Sequence, residues 1–226
     1  MRVSAVILAA GRGQRMGGEK NKVYLPIRGI PLLAYTLRSF ARSSKIDEII
    51  LVVRGGEEAE ARAIRFEGRV PLLIVHGGEE RRDSALAGVE AASGEIVLIH
   101  DGARPFPSVD LIERVLDGTI THGACIPVIP SPDTLRLLND DGTVERGPID
   151  RSRIVRVQTP QGFRTDMIRS ALAESKPDIL DDAEAVLALG RPVFPVSGEE
   201  TNLKVTCPAD LAIAEAIARR FDVTTA

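Results

Sequence analysis

The run from Leu8 to Ile27, LAAGRGQRMGGEKNKVYLPI, sets a glycine turn directly behind an apolar segment and follows it with Arg15, Lys20, Lys22 and a Leu-Pro pair. Gly11 and Gly13 let the backbone bend sharply and bring its N–H groups close to an anion, while the cations supply charge that a backbone cannot. Gripping a triphosphate is the chemistry such a loop suits. Taken alone, the glycines also fit a plain tight turn, and Arg15 and Lys22 a solvated loop.

Two later segments offer complementary groups. In HGGEERRDSALAG, Gly77 and Gly78 leave backbone groups open to read the edge of a base, with Ser84 a hydroxyl partner at the start of a helix. Capping by Asp83 or Ser84 explains the same residues equally well. IHDGARPF delivers Asp101, suited to a sugar hydroxyl or a magnesium ion, and Arg104, suited to clamping a phosphate in bidentate fashion. Asp101 as a turn former is the plainer alternative.

The elements that must position these groups follow from periodicity. Val3 to Ala9, Glu48 to Val53, Val70 to His76, Glu95 to Asp101 and Ala124 to Ile129 carry nearly continuous apolar residues, the pattern of strands buried on both faces. Between them, Pro31 to Arg42, Glu57 to Phe66 and Arg81 to Ala92 are amphipathic at helical spacing. Such alternation predicts an α/β fold with a mostly parallel sheet flanked by helices. Ligands of these sheets bind at the carboxyl ends of the strands, which selects the loops 10 to 22, His76 to Ser84 and Asp101 to Phe106. Residues 130 to 153 break the rhythm: Thr134 to Leu138 and Thr143 to Arg146 flank Asn-Asp-Asp-Gly, which predicts a projecting β-hairpin arm. With little apolar surface to bury on its own domain, the arm suits support by a partner subunit. Helices over Thr165 to Ser175, Asp181 to Gly190 and from Pro208, and a strand over Val193 to Ser197, complete the chain.

Composition excludes several classes. The 226 residues, 44% hydrophobic and 27% charged, suffice for one domain, and no linker tract divides them. A formal charge of −3 with scattered Lys and Arg argues against nucleic-acid binding. Cys125 and Cys207 stand far apart with no C-x-x-C and no histidine at ligand spacing, which points to a reducing cytoplasm rather than a zinc site. The apolar start leads straight into Gly-Arg-Gly and reads as a first strand, and no segment reaches the ~18 to 20 apolar residues of a membrane span. Arg15 and Met16 stand where a dinucleotide fingerprint needs its third glycine, and the second strand ends in Val53-Arg54 with no ribose-binding acid. No Walker pattern occurs. His76, His100 and His122 read as structural.

Together, LAAGRGQRM with Lys22 in KVYLP, GGEERRDSALAG, HDGARPF, PDT, TPQGF and NLKVTCPADLAIAE resemble the 2-C-methyl-D-erythritol 4-phosphate cytidylyltransferases of the non-mevalonate isoprenoid pathway, nearly full length and in the family's order. The resemblance implies a single Rossmann-like nucleotidyltransferase domain that transfers CMP from CTP to methylerythritol phosphate with magnesium and releases pyrophosphate. It implies that Arg15 and Lys22 stabilise the transition state, and that Arg151 and Lys204 position the attacking phosphate. Leu8, Ala9, Ala10, Gly11, Arg12 and Gly13 would wrap the triphosphate, while Gly78, Glu79 and Ser84 recognise cytosine. Asp101, Gly102 and Arg104 would meet ribose and polyol, with Asp101 the best candidate for a protein ligand to magnesium. Thr134, Arg151 and Thr159 would complete a site across a homodimer.

One departure bears on the acceptor. Where the family usually has Thr-Asp-Asp/Glu-Ala, this chain has Leu180-Asp181-Asp182-Ala183, so a substrate-facing hydroxyl is missing. Ribitol 5-phosphate cytidylyltransferase, with similar CTP machinery, is the alternative enzyme. A non-catalytic nucleotide-binding module fits less well, since it has no need of Arg15, Lys22 and Lys204 together.

Overall fold

The structure, a computed structural model, describes residues 1–11, 21–68 and 70–223. Arg12, Gly13, Arg15 and Lys20 of the first loop lie outside the described residues. In chain order the elements are β1 (Val3–Leu8), a 3-10 turn (Lys22–Tyr24), β2 (Pro26–Ile27), β3 (Ile30–Pro31), α1 (Leu32–Ala41), β4 (Glu48–Val53), α2 (Glu58–Ala63), β5 (Leu72–His76), α3 (Arg81–Ala91) and β6 (Ile96–Asp101). There follow α4 (Val109–His122), β7 (Ala124–Pro130), a second 3-10 turn (Arg151–Arg153), β8 (Val155–Val157), β9 (Gln161–Arg164), α5 (Thr165–Glu174), α6 (Asp182–Ala188), β10 (Phe194–Ser197) and α7 (Pro208–Val223).

Among the described residues the main sheet runs β10-β7-β9-β6-β1-β4-β5, with β8 paired to β7. Strands β1, β4, β5 and β6 are mutually parallel, as are β7 and β10, while β9 lies antiparallel between β6 and β7. The five strands expected from the apolar runs are present, and those runs fill both faces. Ile49, Leu51 and Val53 of β4 pack in the layer containing Leu33, Leu37 and Phe40 of α1 and Leu111 and Val115 of α4. Their neighbours Ile50 and Val52 point the other way, toward Ala85 and Val89 of α3 and Ile168 and Leu172 of α5. Helix α3 sits very close to the sheet. A Cβ on its Gly88 would stand 2.9 Å from Val52 Cγ2 and nearer still to Val6 Cγ1.

A smaller cluster of Ile27, Leu32, Tyr35, Phe106, Val205, Ala214 and Ala218 fastens α7 and the segment before it to the domain. The arm differs from expectation. Its two anticipated strand pieces reduce to one bridge, Leu138 to Val144, beside a turn in which Asn139 N–H donates to Thr143 O at 2.9 Å. Leu137, Leu138 and Val144 are all exposed, so this ribbon has no sheet face to pack on.

Candidate active site

The carboxyl ends of the parallel strands open into a cleft of about 620 Å³. Leu8, Ala9, Ala10 and Gly11, leaving β1, form one part of its lining with Lys22. Gly78, Glu79 and Ser84 form another, and Asp101 and Lys204 a third. Three separated motifs therefore converge because parallel strands deliver their following loops to one edge.

The second loop approaches the first closely. A Cβ on Gly77 would meet Ser84 Oγ at 2.5 Å and Ala10 Cβ at 2.7 Å, so glycine is what lets the walls come together. Asp83 accepts from the Glu80 N–H at 3.4 Å and caps α3, which leaves the buried Ser84 to face the cleft.

Asp101 is the electrostatic centre. Lys204 Nζ stands 2.7 Å from its carboxylate, Arg81 Nε 3.7 Å away and Arg104 Nε 3.8 Å away. Burial alone would raise the Asp101 carboxyl, but Arg81, Lys204 and Arg104 outweigh it and hold the group well below the usual carboxylate range. Lys204 belongs to no strand or helix. It is fixed by Val205, which is buried and donates its N–H to Ala103 O at 2.9 Å.

Other expected site residues are placed behind this centre. Arg104 Nη1 donates to Asn202 O at 2.8 Å, and Asn202 Nδ2 to Thr159 O at 2.8 Å. Gly102 N–H donates to Leu8 O, and its carbonyl accepts from Thr36 Oγ1. The buried Thr159 hydroxyl accepts from the Asp101 N–H at 3.1 Å and meets His100 Nδ1 at 3.0 Å. His100 Nε2 lies 3.0 Å from Arg104 O, an acceptor only, so the network assigns the proton to Nε2 and makes Nδ1 an acceptor for Thr159. Thr134 and Arg151 are exposed on and beside the arm and do not line this cleft.

Arg81 is a residue that the sequence reading passed over. Its guanidinium makes two hydrogen bonds to Asp182, at 2.9 and 2.7 Å, while Nε faces Asp101. Asp182 is fully buried at the start of α6. Gln161 secures that helix, donating to Asp181 Oδ2 at 2.9 Å and accepting from the Ala183 N–H at 3.0 Å. A faint signal was available: a cation on the first residue of a helix opposes the helix dipole and calls for a compensating partner. Leu180, beside this pair, is 86% exposed and contributes only its N–H, which donates to Glu184.

A magnesium ion carried on a triphosphate takes most of its ligands from phosphate and water and needs only one or two carboxylates. Among the described residues no group of three or more His, Cys, Asp or Glu is placed to hold a metal by itself, and Asp101, Glu79 and Glu80 are the carboxylates that line the cleft. The residues fit an ion that arrives with its nucleotide.

Comparison with known proteins decides the family. The family model for IspD, 2-C-methyl-D-erythritol 4-phosphate cytidylyltransferase, matches residues 3–220. A protein of that name from Pelotomaculum thermopropionicum is 41% identical over 224 residues, covering 96% of this chain and 94% of the relative. The chain belongs to this family. As a cytidylyltransferase it is a nucleotidyltransferase enzyme, and its relative of the same name from Geobacillus kaustophilus is 40% identical over 96% of this chain and 97% of the other. Among solved structures, the cytidylyltransferase resembles that of Thermus thermophilus, with a TM-score of 0.79 at 38% identity, covering 97% of this chain and 100% of the other. It also resembles the 4-diphosphocytidyl-2C-methyl-D-erythritol synthase of Anaerococcus prevotii, with a TM-score of 0.84 at 31% identity, covering 96% and 98%.

Proposed function

We propose that this cytidylyltransferase transfers the cytidylyl group of CTP to 2-C-methyl-D-erythritol 4-phosphate, releasing pyrophosphate. The observation that carries the reading is the convergence of Lys22, Lys204 and Asp101 with the glycine loops of β1 and β5 in one cleft. Base and ribose lie against Gly78, Glu79, Ser84 and Asp101, and the triphosphate follows the backbone from Leu8 to Gly13. The substrate phosphate attacks the α-phosphorus of CTP in line with the departing pyrophosphate. Negative charge grows on oxygens around phosphorus, and fixed cations in a site shielded from water stabilise it.

The nucleophile is already an anion, so no general base is required. His100, with both ring nitrogens bonded inside the fold, has no part in proton transfer. Lys204 rests on Asp101 before substrate binds, which keeps its ammonium aimed at the cleft, and the incoming phosphate takes over that contact. Arg15, by resemblance, joins Lys22 on the transferring phosphate. Bound magnesium would neutralise phosphate oxygens, with Asp101, Glu79 and Glu80 the carboxylates lining its surroundings.

The active enzyme is read as a homodimer joined through the arm. Leu137, Leu138, Val144, Val155 and Val157 expose apolar surface there, while Thr134 and Arg151 stand apart from their own chain's cleft and are free to serve the partner's. Among the described residues no helix is long and apolar enough to cross a membrane. The two free cysteines accord with a cytoplasmic enzyme.

The deciding experiment is pyrophosphate release with CTP and a panel of polyol phosphates. Methylerythritol phosphate should be the preferred acceptor, and ribitol 5-phosphate outperforming it would overturn the reading.

A further inference from the structure

Asn21 is 2% exposed although it directly precedes a catalytic lysine. Its Nδ2 donates to Ala9 O at 2.6 Å and to Glu57 Oε2 at 2.9 Å. Its Oδ1 accepts from the Val23 N–H at 3.3 Å and so caps the 3-10 turn that carries Lys22. Behind it, Glu57 is 8% exposed, and its second oxygen accepts from Arg54 Nη2 at 2.5 Å. Ala9 is held on its other side as well, its N–H donating to Val52 O at 2.8 Å.

These bonds join Ala9, just past β1, to Asn21, just ahead of the 3-10 turn. An amide is the side chain that fits. It offers two donors to two acceptors, the Ala9 carbonyl and the Glu57 carboxylate, and an acceptor to the Val23 N–H, all without a charge. Aspartate would place a carboxylate against Glu57 and against a carbonyl oxygen, and alanine would leave three buried polar groups unpaired.

We infer that Asn21, seated on Glu57, is a positioning residue that ties the end of β1 at Ala9 to the 3-10 turn and thereby fixes Lys22 at the cleft. The inference rests on the proposed action of Lys22 on the phosphates of CTP. A misplacement of about 1 Å in such a cation is enough to cost up to ~10²-fold in rate.

Asn21→Ser separates the tie to Ala9 from capping, because serine is a good helix cap yet too short to span Ala9 and Glu57. The enzyme with Asn21→Ser is expected to lose about tenfold or more in kcat while remaining folded, with a melting temperature some degrees below the parent's because the Ala9 carbonyl and the Glu57 carboxylate lose a buried donor. In a Lys22→Ala background the same substitution should change kcat by less than about twofold, since residues acting through one another are not additive. Lys22→Ala by itself reports on the role of Lys22, and the Asn21→Ser step in the enzyme that retains Lys22 reports on Asn21. Parental kcat in Asn21→Ser, or an equal loss with and without Lys22, overturns the inference. Should Asn21→Ser fail to fold, Glu57→Gln removes one of the two carboxylate acceptors and carries the same cycle. It is expected to lose severalfold in kcat only where Lys22 is present, and a loss independent of Lys22 again overturns the inference.

Discussion

Arg81 and Asp182, separated by 101 positions, meet through two hydrogen bonds of 2.9 and 2.7 Å that tie helix α3 to helix α6 at the wall of the cleft, which Arg81 lines. The bidentate geometry belongs to arginine, and a lysine there has only a point charge to offer. Because Asp182 is fully buried, removing its partner leaves a charge with no solvent to receive it. Arg81→Ala is therefore expected to destabilise the fold by about 3–5 kcal/mol, and Arg81→Lys to recover only part of this. Chemical denaturation of both variants measures it, and full recovery by lysine would contradict the bidentate account.

Lys22→Ala should lower turnover by on the order of 10² or more while the melting temperature stays within a few degrees of the parent, as for the loss of one fixed transition-state donor. Steady-state kinetics with saturating CTP tests this, and unchanged turnover would remove Lys22 from the mechanism.

If the arm completes the partner's site, two inactive proteins can repair each other. Mixing Arg15→Ala with Arg151→Ala under conditions of subunit exchange should restore activity through heterodimers holding one intact cleft. Exchange demonstrated without recovery would place the whole site within one chain.

Gly77→Ala inserts a methyl group between Ser84 Oγ and Ala10 Cβ, at 2.5 and 2.7 Å from them. Overpacking on this scale costs about 1–3 kcal/mol. The KM for CTP should rise about tenfold or more. An unaltered KM would show that the base does not use this slot.

Burial pushes His100 down from 6.5 to about 4, against the pull of neighbouring Asp101 and with the push of Arg104 and Lys204. Between those values the unfolded chain takes up a proton that the folded chain refuses, so stability falls as pH drops through this window, by at most about 1.4 kcal/mol per pH unit. The melting temperature followed from neutral pH to about 4 should show this limb, and His100→Gln should flatten it. An identical profile for the variant would assign the acid sensitivity elsewhere.

Much of the framework was legible because its signals are local. Ile49 to Val53 is apolar at every position, which in a short run means a strand covered on both sides, and that is where it lies. Strand β9 escaped notice because Gln161–Arg164 carries a glycine and no β-branched residue, and its place between β6 and β7 comes from tertiary pairing. The arm was overread for the opposite reason: Asn-Asp-Asp-Gly makes a turn, yet the flanking segments have no sheet to extend. In the cleft, Lys22, Ser84 and Asp101 could be found from motif and charge, and Lys204 from the family resemblance. Arg81 carried only a faint signal and Asn21 none, since each takes its meaning from a partner distant in sequence, Asp182 in one case and Ala9 with Glu57 in the other.

The close seating of α3 at Gly88 reaches beyond packing. The helix that carries Arg81 and Ser84 rests on Val6 and Val52, so the methyl groups beneath it set how far this wall of the cleft stands from the sheet. Under the proposed binding mode, fit to the base is retuned from the interior, by exchanging valine for a larger or smaller aliphatic residue under the helix, without altering a cleft-lining side chain.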